Sequence, residues 1–226
     1  MSVTVITGTG GMGRAIARRL GSGSTLVLAD YNADALTSAA RDLQAEGHEV
    51  VTQQVDVSDA GSVAKLARAA ADLGPVSTVV HTAGLSPQQA SAAAILAVDL
   101  LGTAIVLDAF EEVIAAGGAG VFISSMAGHI RPLPTEVESA LSTTPTAELL
   151  ALPFLSPAAI STPSMAYGIS KRANHLRVAA AANGWGRRGA RVNSISPGVI
   201  ATPMGQAELA GASGVAMRAM ISGSAT

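Results

Sequence analysis

Short apolar segments alternate with helical patterns along most of the chain. Segments that are apolar on both faces, as expected of strands covered by helices on both sides, are Val3–Ile6, Thr25–Ala29, Val50–Gln54, Thr78–His81, Val121–Ile123 and Val192–Ile195. The helices predicted from apolar spacing are Met12–Leu20, Ala33–Glu46 with Asn32 as its cap, Val63–Leu73 and Ser91–Ala116. This alternation predicts a Rossmann α/β fold, a doubly wound parallel sheet with helices on both faces.

The segment from residue 129 to residue 164 interrupts this alternation. It is rich in proline and contains only short helical patterns such as Thr146–Leu152. It is either a surface excursion or a lid over a substrate site. We expect a lid, because it lies between two segments with candidate chemistry and long loops tend to carry function.

Composition and charge exclude several classes of protein. The 226 residues suit a single domain over residues 1–226, and a hydrophobic content of 49% favours a packed core over disorder. A net charge of −2 offers no basic surplus for nucleic acid. The chain has no cysteine, and its His, Asp and Glu residues show no metal-ligand spacing, so no metal site is predicted.

Neither a signal peptide nor a membrane span is predicted. The apolar run Val3–Ile6 is too short for a signal peptide and lacks preceding basic residues. The least charged stretch, Val113–Ile130, contains too many glycines and serines for a span of large apolar side chains. We therefore expect a soluble, cytoplasmic protein with no membrane partner.

A glycine-rich segment follows the first predicted strand and begins the first predicted helix. It runs from Thr7 to Gly13, with Gly8, Gly10 and Gly13 at G-x-G-x-x-G spacing. Glycines let the backbone approach a pyrophosphate closely, and the helix N-terminus offers free N–H groups. Because it lies between a strand and a helix, this segment predicts a dinucleotide site.

Asp30 ends the second predicted strand, where a carboxylate can accept hydrogen bonds from the adenosine ribose. The same charge would repel a 2′-phosphate, and no arginine adjoins it in the sequence. Asp30 therefore favours NAD over NADP. The alternative is an acidic residue that complements a helix dipole.

Tyr167 and Lys171 are four residues apart, so on a helix they project from one face. A lysine ammonium one turn away favours a phenolate, which can exchange a proton with a carbonyl oxygen while a cofactor carries the hydride. Taken alone, Y-x-x-x-K is a weak signal that an exposed helical pair also satisfies.

Together, these motifs resemble those of the short-chain dehydrogenase/reductase family over essentially the whole chain. Further matches are the Asp-Val pair near the adenine, the segment after the fourth strand, the catalytic serine and the Pro-Gly segment after the sixth strand. They correspond to Asp56-Val57, His81–Gly84, Ser125 and Pro197–Thr202.

The resemblance implies a role for each matched residue. Ser125 would hydrogen-bond the substrate oxygen, Tyr167 would be the general acid/base, and Lys171 would bind the nicotinamide ribose and assist Tyr167. Thr202 and the backbone near Ile200 would hold the carboxamide. The residues expected to bind NAD are Gly8, Thr9, Gly10, Gly11, Met12, Gly13, Asp30, Asp56, Val57, Thr82, Ala83, Gly84, Tyr167, Lys171, Pro197, Gly198, Val199, Ile200 and Thr202.

Three segments depart from the family pattern. The glycine turn is one residue shorter than the usual T-G-x-x-x-G-x-G. Asp99 stands where an asparagine usually joins a proton relay with the lysine, so we expect Asp99 in the catalytic relay and a shifted pH profile. His81 and Thr82 replace Asn-Asn, and we expect His81 to be a packed residue at a strand end.

The insertion before Tyr167 resembles that of 3α-hydroxysteroid dehydrogenase/carbonyl reductases, which implies a bulky, apolar, steroid-like ketone or secondary alcohol. Side chains that line such a pocket, or else form a small core, are Leu149, Leu150, Leu152, Phe154 and Leu155. The chain stops where the family continues with a helix and a strand, and residues 205–220 resemble a mobile substrate loop. The insertion is expected to crowd an interface on the helices of residues 91–116 and 164–185, with a homodimer favoured.

Two other functions remain open from the sequence. A dinucleotide-binding sensor without catalysis would fit Asp99 and the short turn, but not an intact Ser125, Tyr167 and Lys171. An epimerase or dehydratase of the related extended group would fit the turn length, but it would need a C-terminal substrate domain.

Overall fold

The structure, a computed structural model, describes residues 1–211 and 214–223. Parallel strands form one sheet within these residues, in the order β3-β2-β1-β4-β5-β6. The strands are β1 (Ser2–Thr7), β2 (Ser24–Asp30), β3 (Glu49–Gln54), β4 (Val76–His81), β5 (Ile114–Ile123) and β6 (Arg191–Ile195). The strand order reverses between β1 and β4, where ligands bind in doubly wound sheets. The predicted Rossmann fold is confirmed.

Helices lie on both faces of the sheet. They are α1 (Gly11–Leu20), α2 (Ala33–Ala45), α3 (Ala60–Leu73), α4 (Ala92–Ile95), α5 (Thr103–Glu111), α6 (Thr135–Thr143), α7 (Pro163–Arg187), α8 (Pro203–Ala210) and α9 (Gly214–Gly223). A π-helix over Leu96–Gly102 joins α4 to α5. The prediction for residues 205–220 overlaps α8 and α9, but positions 212–213 and 224–226 fall outside the described residues.

The predicted helix Ser91–Ala116 is too long. The helical run ends at Glu111, and Ile114 already pairs with Val76 of β4. Gly117 adopts φ +81°, a conformation that most other residues avoid. The alanines before it favour a helix locally, but strand pairing determines their conformation.

The helical run Ala92–Glu111 is long and apolar enough to cross a membrane, with a mean hydropathy of 2.0 over its most apolar window. However, 61% of that window is buried. Its burial fits a core helix, which packs against α3 and α7.

Short helices in the insertion pack against the outside of the main domain. They are α6 and two 3₁₀ segments, Thr146–Ala151 and Pro153–Leu155. Arg177 of α7 is 8% exposed and donates to the carbonyls of Leu141 (3.1 Å) and Thr144 (3.0 Å). The insertion therefore covers the face formed by α4, the π-helix and α7.

Candidate active site

The turn between β1 and α1 presents backbone N–H groups at the carboxyl end of the sheet. Gly10 is the N-cap of α1, and no described side chain caps this helix. A Cβ atom added at Gly10 would meet no described atom within 4 Å, so the space around it is open. An uncapped helix N-terminus beside open space suits an anion such as a pyrophosphate.

The segment after β4 closes one side of this turn. Gly8 adopts φ +88°, and a Cβ atom there would lie 2.5 Å from the Ala83 nitrogen. The Thr82 hydroxyl donates to the Gly8 carbonyl at 2.8 Å. The close approach therefore requires glycine at position 8, and it places Thr82–Gly84 beside the turn.

Asp30 points back toward the glycine turn. Its Oδ2 accepts from the N–H and the hydroxyl of Thr9, at 2.6 and 2.7 Å, and its Oδ1 accepts from the Asn32 N–H at 2.9 Å. A carboxylate has about four acceptor positions, so one on Oδ1 is left for a ligand. Arg14 donates to the Thr9 carbonyl at 2.9 Å but is paired with Asp42 at 3.1 Å.

Asp56 and Val57 follow β3 at the same edge of the sheet. Asp56 Oδ1 accepts from the N–H and the hydroxyl of Ser58, at 2.9 and 2.6 Å. Val57 is buried, and a Cβ atom added at Gly102 would lie 2.9 Å from its Cγ2. Val57 therefore packs against the π-helix, while Asp56 stabilises the turn in which the adenine site is predicted.

The side chain of Lys171 lies next to both Tyr167 and Asp99. Lys171 Nζ lies 5.3 Å from the Tyr167 ring centroid and 3.1 Å from Asp99 Oδ2. Lys171 is 5% exposed, and Asp99 is fully buried on the π-helix. A Cβ atom at Gly84 would lie 3.4 Å from both Nζ and Oδ2, so the pair adjoins the segment after β4.

Burial and charge oppose each other in this pair. Burial lowers the pKa of Lys171, but the Asp99 carboxylate and the Tyr167 side chain outweigh it and raise that pKa above its usual value. Burial raises the pKa of Asp99, against the effects of Lys171 and the Leu85 N–H. Lys171 therefore keeps its ammonium charge, with a carboxylate 3.1 Å away that reduces its field at Tyr167.

Ser125 lies where β5 gives way to a 3₁₀ turn, Met126–His129. Its hydroxyl oxygen accepts from the Ala127 N–H at 3.1 Å, which leaves its proton available to donate. The neighbouring Ser124 donates to the Lys171 carbonyl at 2.6 Å and is buried. Ser124 thus fixes β5 against α7, and Ser125 is the serine left for chemistry.

Ser125 and Tyr167 share a cavity of about 840 Å³. Residues after β6 also line it, including Pro197, Gly198, Val199, Ile200 and Thr202. The Met126 N–H donates to the Pro197 carbonyl at 3.0 Å, which joins the serine turn to that segment. The structure therefore brings the predicted catalytic serine, tyrosine and Pro-Gly segment together.

Thr202 lies over the glycine turn. Its hydroxyl accepts from the Gly205 N–H at 3.1 Å and caps α8. Its Cγ2 lies 2.7 Å from the position of a Cβ atom added at Gly11. The cavity wall after β6 thus contacts the predicted cofactor site directly.

His81 is a packed residue at the end of β4, as predicted. Its ring lies between Thr7 Oγ1 (2.7 Å from Nδ1) and Thr103 Oγ1 (3.2 Å from Nε2). Burial, followed by the charge of Lys171, lowers its pKa to about 3. His81 is therefore a neutral structural group that bridges β1 and α5.

The insertion leucines resolve an alternative that the sequence leaves open. Leu149 and Leu155 are buried in a core shared with α4, the π-helix and α7, and Leu152 and Phe154 pack against it. None of these side chains, nor the exposed Leu150, lines the cavity of the described residues. The pocket-lining alternative is wrong for this cavity, because their apolar surface is already buried against the helices.

The ends of the insertion border the cavity instead. The contacting residues are Ile130, Arg131, Leu133, Ile160, Thr162 and Ser164, followed by Met165. Its apolar members, such as Ile130, Leu133 and Ile160, are of the same type as the buried leucines, so the chain path alone determines which apolar residues reach the cavity.

Comparisons with known proteins bear on this site. A family model described as short chain dehydrogenase matches residues 2–137, and one described as Enoyl-(Acyl carrier protein) reductase matches residues 133–222. The short-chain dehydrogenase/reductase bsc3 of Alternaria brassicicola is 43% identical over 205 residues, which cover 90% of this chain and 74% of that protein. This chain belongs to the short-chain dehydrogenase/reductase family.

Other members are more distant. A 3-alpha-hydroxysteroid dehydrogenase/carbonyl reductase of Comamonas testosteroni is 31% identical, over 74% of this chain and 69% of its own length. A solved variant of actinorhodin polyketide ketoreductase with NADPH matches with a TM-score of 0.72 at 22% identity, over 95% of this chain and 76% of its own. The latter supports the fold alone.

Membership in this family identifies the class of cofactor and the class of substrate. The family binds a nicotinamide dinucleotide, and its oxidoreductases act on small alcohols and ketones. The open, uncapped glycine turn and the free acceptor position on Asp30 Oδ1 fit such a cofactor.

Two features near the site escape sequence reasoning. Asp99 lies on a π-helix, a form that often occurs at functional sites but has no clear sequence signal. Ser86 and Glu208 line the cavity, although neither belongs to a motif. Their positions become visible only when the chain is folded.

Proposed function

We propose that this chain is an NAD(H)-dependent oxidoreductase that interconverts a ketone and a secondary alcohol. The observation that carries the proposal is that Ser125 and Tyr167 line one cavity, with the buried Lys171 next to Tyr167. When bound, the nicotinamide supplies or accepts the hydride. The chain's own residues then have to bind the substrate oxygen and transfer its proton.

Ser125 donates its free hydroxyl proton to the substrate oxygen and holds it near Tyr167. In the reduction, Tyr167 gives its phenolic proton to that oxygen, and in the oxidation it takes the proton back. The Lys171 ammonium favours the phenolate that forms on Tyr167. Lys171 also hydrogen-bonds the nicotinamide ribose, while Asp99 orients its ammonium.

We assign cofactor binding to the predicted segments. The N–H groups of the glycine turn bind the pyrophosphate, Asp30 the adenosine ribose, and Asp56-Val57 the adenine. Residues Thr82–Gly84 and Pro197–Thr202 hold the nicotinamide half, with Thr202 at the carboxamide.

NAD preference follows from the charge of Asp30. A 2′-phosphate placed at its remaining acceptor position would meet a carboxylate, and the nearby Arg14 is already paired with Asp42. We expect NADH to bind wild type at least tenfold more tightly than NADPH, and Asp30→Ser to reduce that preference. Tighter binding of NADPH to wild type would contradict this assignment.

The activity is tested with a panel of ketones and alcohols, followed at the absorbance of NADH. Tyr167→Phe should lower kcat by roughly a hundredfold or more, since general acid–base catalysis contributes about 10²–10⁴. The matched control is Tyr31→Phe, because Tyr31 is the other tyrosine of the chain and is 72% exposed. Wild-type NADH binding without turnover on any substrate would favour the catalytically silent sensor instead.

The position of Asp99 next to Lys171 supports the predicted shift in the pH dependence of the reaction rate. Its carboxylate faces Lys171 at 3.1 Å and helps to keep that buried lysine charged, so Asp99→Asn should change the electrostatic field at Tyr167. We expect the inflection in the pH–rate curve for alcohol oxidation to move. An unmoved curve would contradict the role of Asp99.

Substrate and assembly remain predictions. The relative named as a hydroxysteroid dehydrogenase and the cavity of about 840 Å³ support a bulky, apolar substrate. The insertion, which borders the cavity through both of its ends, stays the predicted lid within a single domain. A homodimer and a cytoplasmic location also stay predictions.

A further inference from the structure

Two oxygens in the cavity wall lack hydrogen-bond partners among the described residues. They are Ser86 Oγ and Glu208 Oε1, both shielded from solvent, and both residues line the cavity. Ser86 as a whole is 2% exposed. Buried polar atoms without partners are destabilising and uncommon in native proteins. A ligand that satisfies them would explain why they are placed here.

The two segments that carry these oxygens pack against each other. A Cβ atom added at Gly211 would be 2.8 Å from Gln88 Cδ, so the end of α8 packs against the segment after β4. Glu208 is three residues before Gly211, and Ser86 is two residues before Gln88. The catalytic Ser125 and Tyr167 lie on other elements, the turn after β5 and α7.

The chemistry of the pair selects a hydrogen-bond donor. The Glu208 carboxylate accepts only, whereas the Ser86 hydroxyl can accept or donate. A ligand hydroxyl can donate to Glu208 and accept from Ser86 at once. A ketone oxygen or a second carboxylate offers no proton to Glu208, and a carboxylate would also be repelled.

The cations of the cavity do not favour an anionic substrate instead. Arg131 is exposed at the cavity edge and can be hydrated there. Arg172 pairs with Glu138 at 2.7 Å. Neither guanidinium is a buried charge without a partner, whereas Glu208 Oε1 has none among the described residues.

Resting on the oxidoreductase activity proposed above, we infer that the substrate carries a second hydroxyl group, which Ser86 and Glu208 bind. The substrate class is a diol or hydroxyketone with an apolar body. The carbon that bears one oxygen exchanges a hydride with the nicotinamide while Tyr167 exchanges the proton of that oxygen, and the second hydroxyl positions the molecule without reacting. Ser86 and Glu208 are therefore specificity-determining residues for this substrate class.

The experiment compares kcat/KM for matched pairs of compounds. Cyclohexanone is measured against its 2-, 3- and 4-hydroxy derivatives, and a monohydroxy steroid against dihydroxy counterparts. Wild type should favour the best hydroxylated member of a series by roughly tenfold or more, because a site built for a hydroxyl leaves its polar groups unpaired when the hydroxyl is absent.

Two variants test the assigned residues. Ser86→Ala and Glu208→Leu should each lower kcat/KM for the hydroxylated member by roughly tenfold and change that for the parent ketone less than twofold. Gln206→Leu is the matched control, since Gln206 is exposed on the same helix and does not line the cavity. Equal losses on both compounds, or no preference in wild type, would overturn the inference.

A binding measurement separates this inference from the proposed activity. The rise in Tm caused by each compound should be larger for the hydroxylated member in wild type, and this difference should vanish in Ser86→Ala and Glu208→Leu. Turnover of the parent ketone without these differences would overturn the second-hydroxyl site alone. Hydroxyl-dependent binding without turnover by wild type would contradict the oxidoreductase proposal alone. A preference for carboxylate-bearing ketones that is lost in Arg131→Gln would also overturn the inference.

Discussion

The two walls of the cavity are built in different ways. The insertion wall continues into a packed body in which Leu141 and Leu149 are fully buried and Arg177 bonds to two backbone carbonyls. The opposite wall includes α8, which has no buried residues, although Glu208 Oε1 is shielded. The insertion wall is therefore held by a buried core away from the cavity. The α8 wall has no buried residue in its helix and depends mainly on hydrogen bonds.

This difference indicates which wall moves. Displacing the insertion would expose the apolar core that it shares with α4, the π-helix and α7. Displacing α8 exposes little apolar surface, and it would lift Thr202 from Gly11 and uncover the glycine turn. We therefore expect the α8 wall to open for the cofactor, while the insertion covers the cavity as a lid that is held in place by its core.

The largest effect is expected from Leu149→Ala. Leu149 is fully buried in the core between the insertion and the main domain, and removing such a side chain costs roughly 2–5 kcal/mol of unfolding free energy. Leu150→Ala is the matched control, because Leu150 is 38% exposed. This variant should lose less than about 1 kcal/mol of unfolding free energy. Urea unfolding measures both. Equal losses would mean that the insertion wall is not fixed by its core.

Arg177→Met should have the second largest effect. It keeps much of the apolar stem but removes the donors to the Leu141 and Thr144 carbonyls and to the Thr146 hydroxyl, the last at 2.8 Å. We expect a loss of about 2 kcal/mol, since lost partners at a buried site cost about 1–3 kcal/mol. Arg187→Met, on an exposed arginine of the same helix, is the control. Equal stability of the Arg177→Met and Arg187→Met proteins would show that the Arg177 hydrogen bonds do not hold α6 in place.

The fold was largely predictable from the sequence, whereas the shape of the cavity was not. Asn32 caps α2 through the Ala35 N–H at 2.9 Å, as predicted, because capping depends on residues close in the chain. The burial of Leu149 depends on a core that it shares with residues distant in the chain, such as Ile95 and Ala173, which no local pattern encodes.

The candidate site likewise has some features that the sequence predicts and others that depend on the fold. The spacing of Tyr167 and Lys171 predicted that they share a helix face, and the resemblance led to Asp99. The direct 3.1 Å contact between Asp99 and Lys171 depends on the π-helix, whose wider turn carries no residue signature. Ser86 has no sequence signal, because a lone serine in a loop has no distinctive spacing.

Hydrogen exchange should separate the walls without any mutation. The amides of α8 should exchange well before those of α6, because α8 can open locally while α6 opens only when its shared core does. NADH should slow exchange in α8 more than in α6, since the proposed cofactor site at the glycine turn lies under Thr202. Equal protection of the two helices without cofactor would remove the contrast.

The smallest and most direct comparison makes one substitution on each wall. Thr162 and Thr202 are both N-caps followed by proline, and each accepts from the N–H three residues later, Met165 at 3.2 Å and Gly205 at 3.1 Å. Losing such a cap costs about 1 kcal/mol when its helix unfolds with the domain.

Thr162→Ala should therefore lower the free energy of unfolding by about 1 kcal/mol, because α7 is part of the core. Thr202→Ala should lower it by less than about 0.5 kcal/mol, because α8 can fray before the domain unfolds. Both are measured without cofactor, so the proposed contact of Thr202 with the carboxamide does not contribute. Equal losses would mean that α8 unfolds with the core, and the α8 wall would then be as fixed as the insertion.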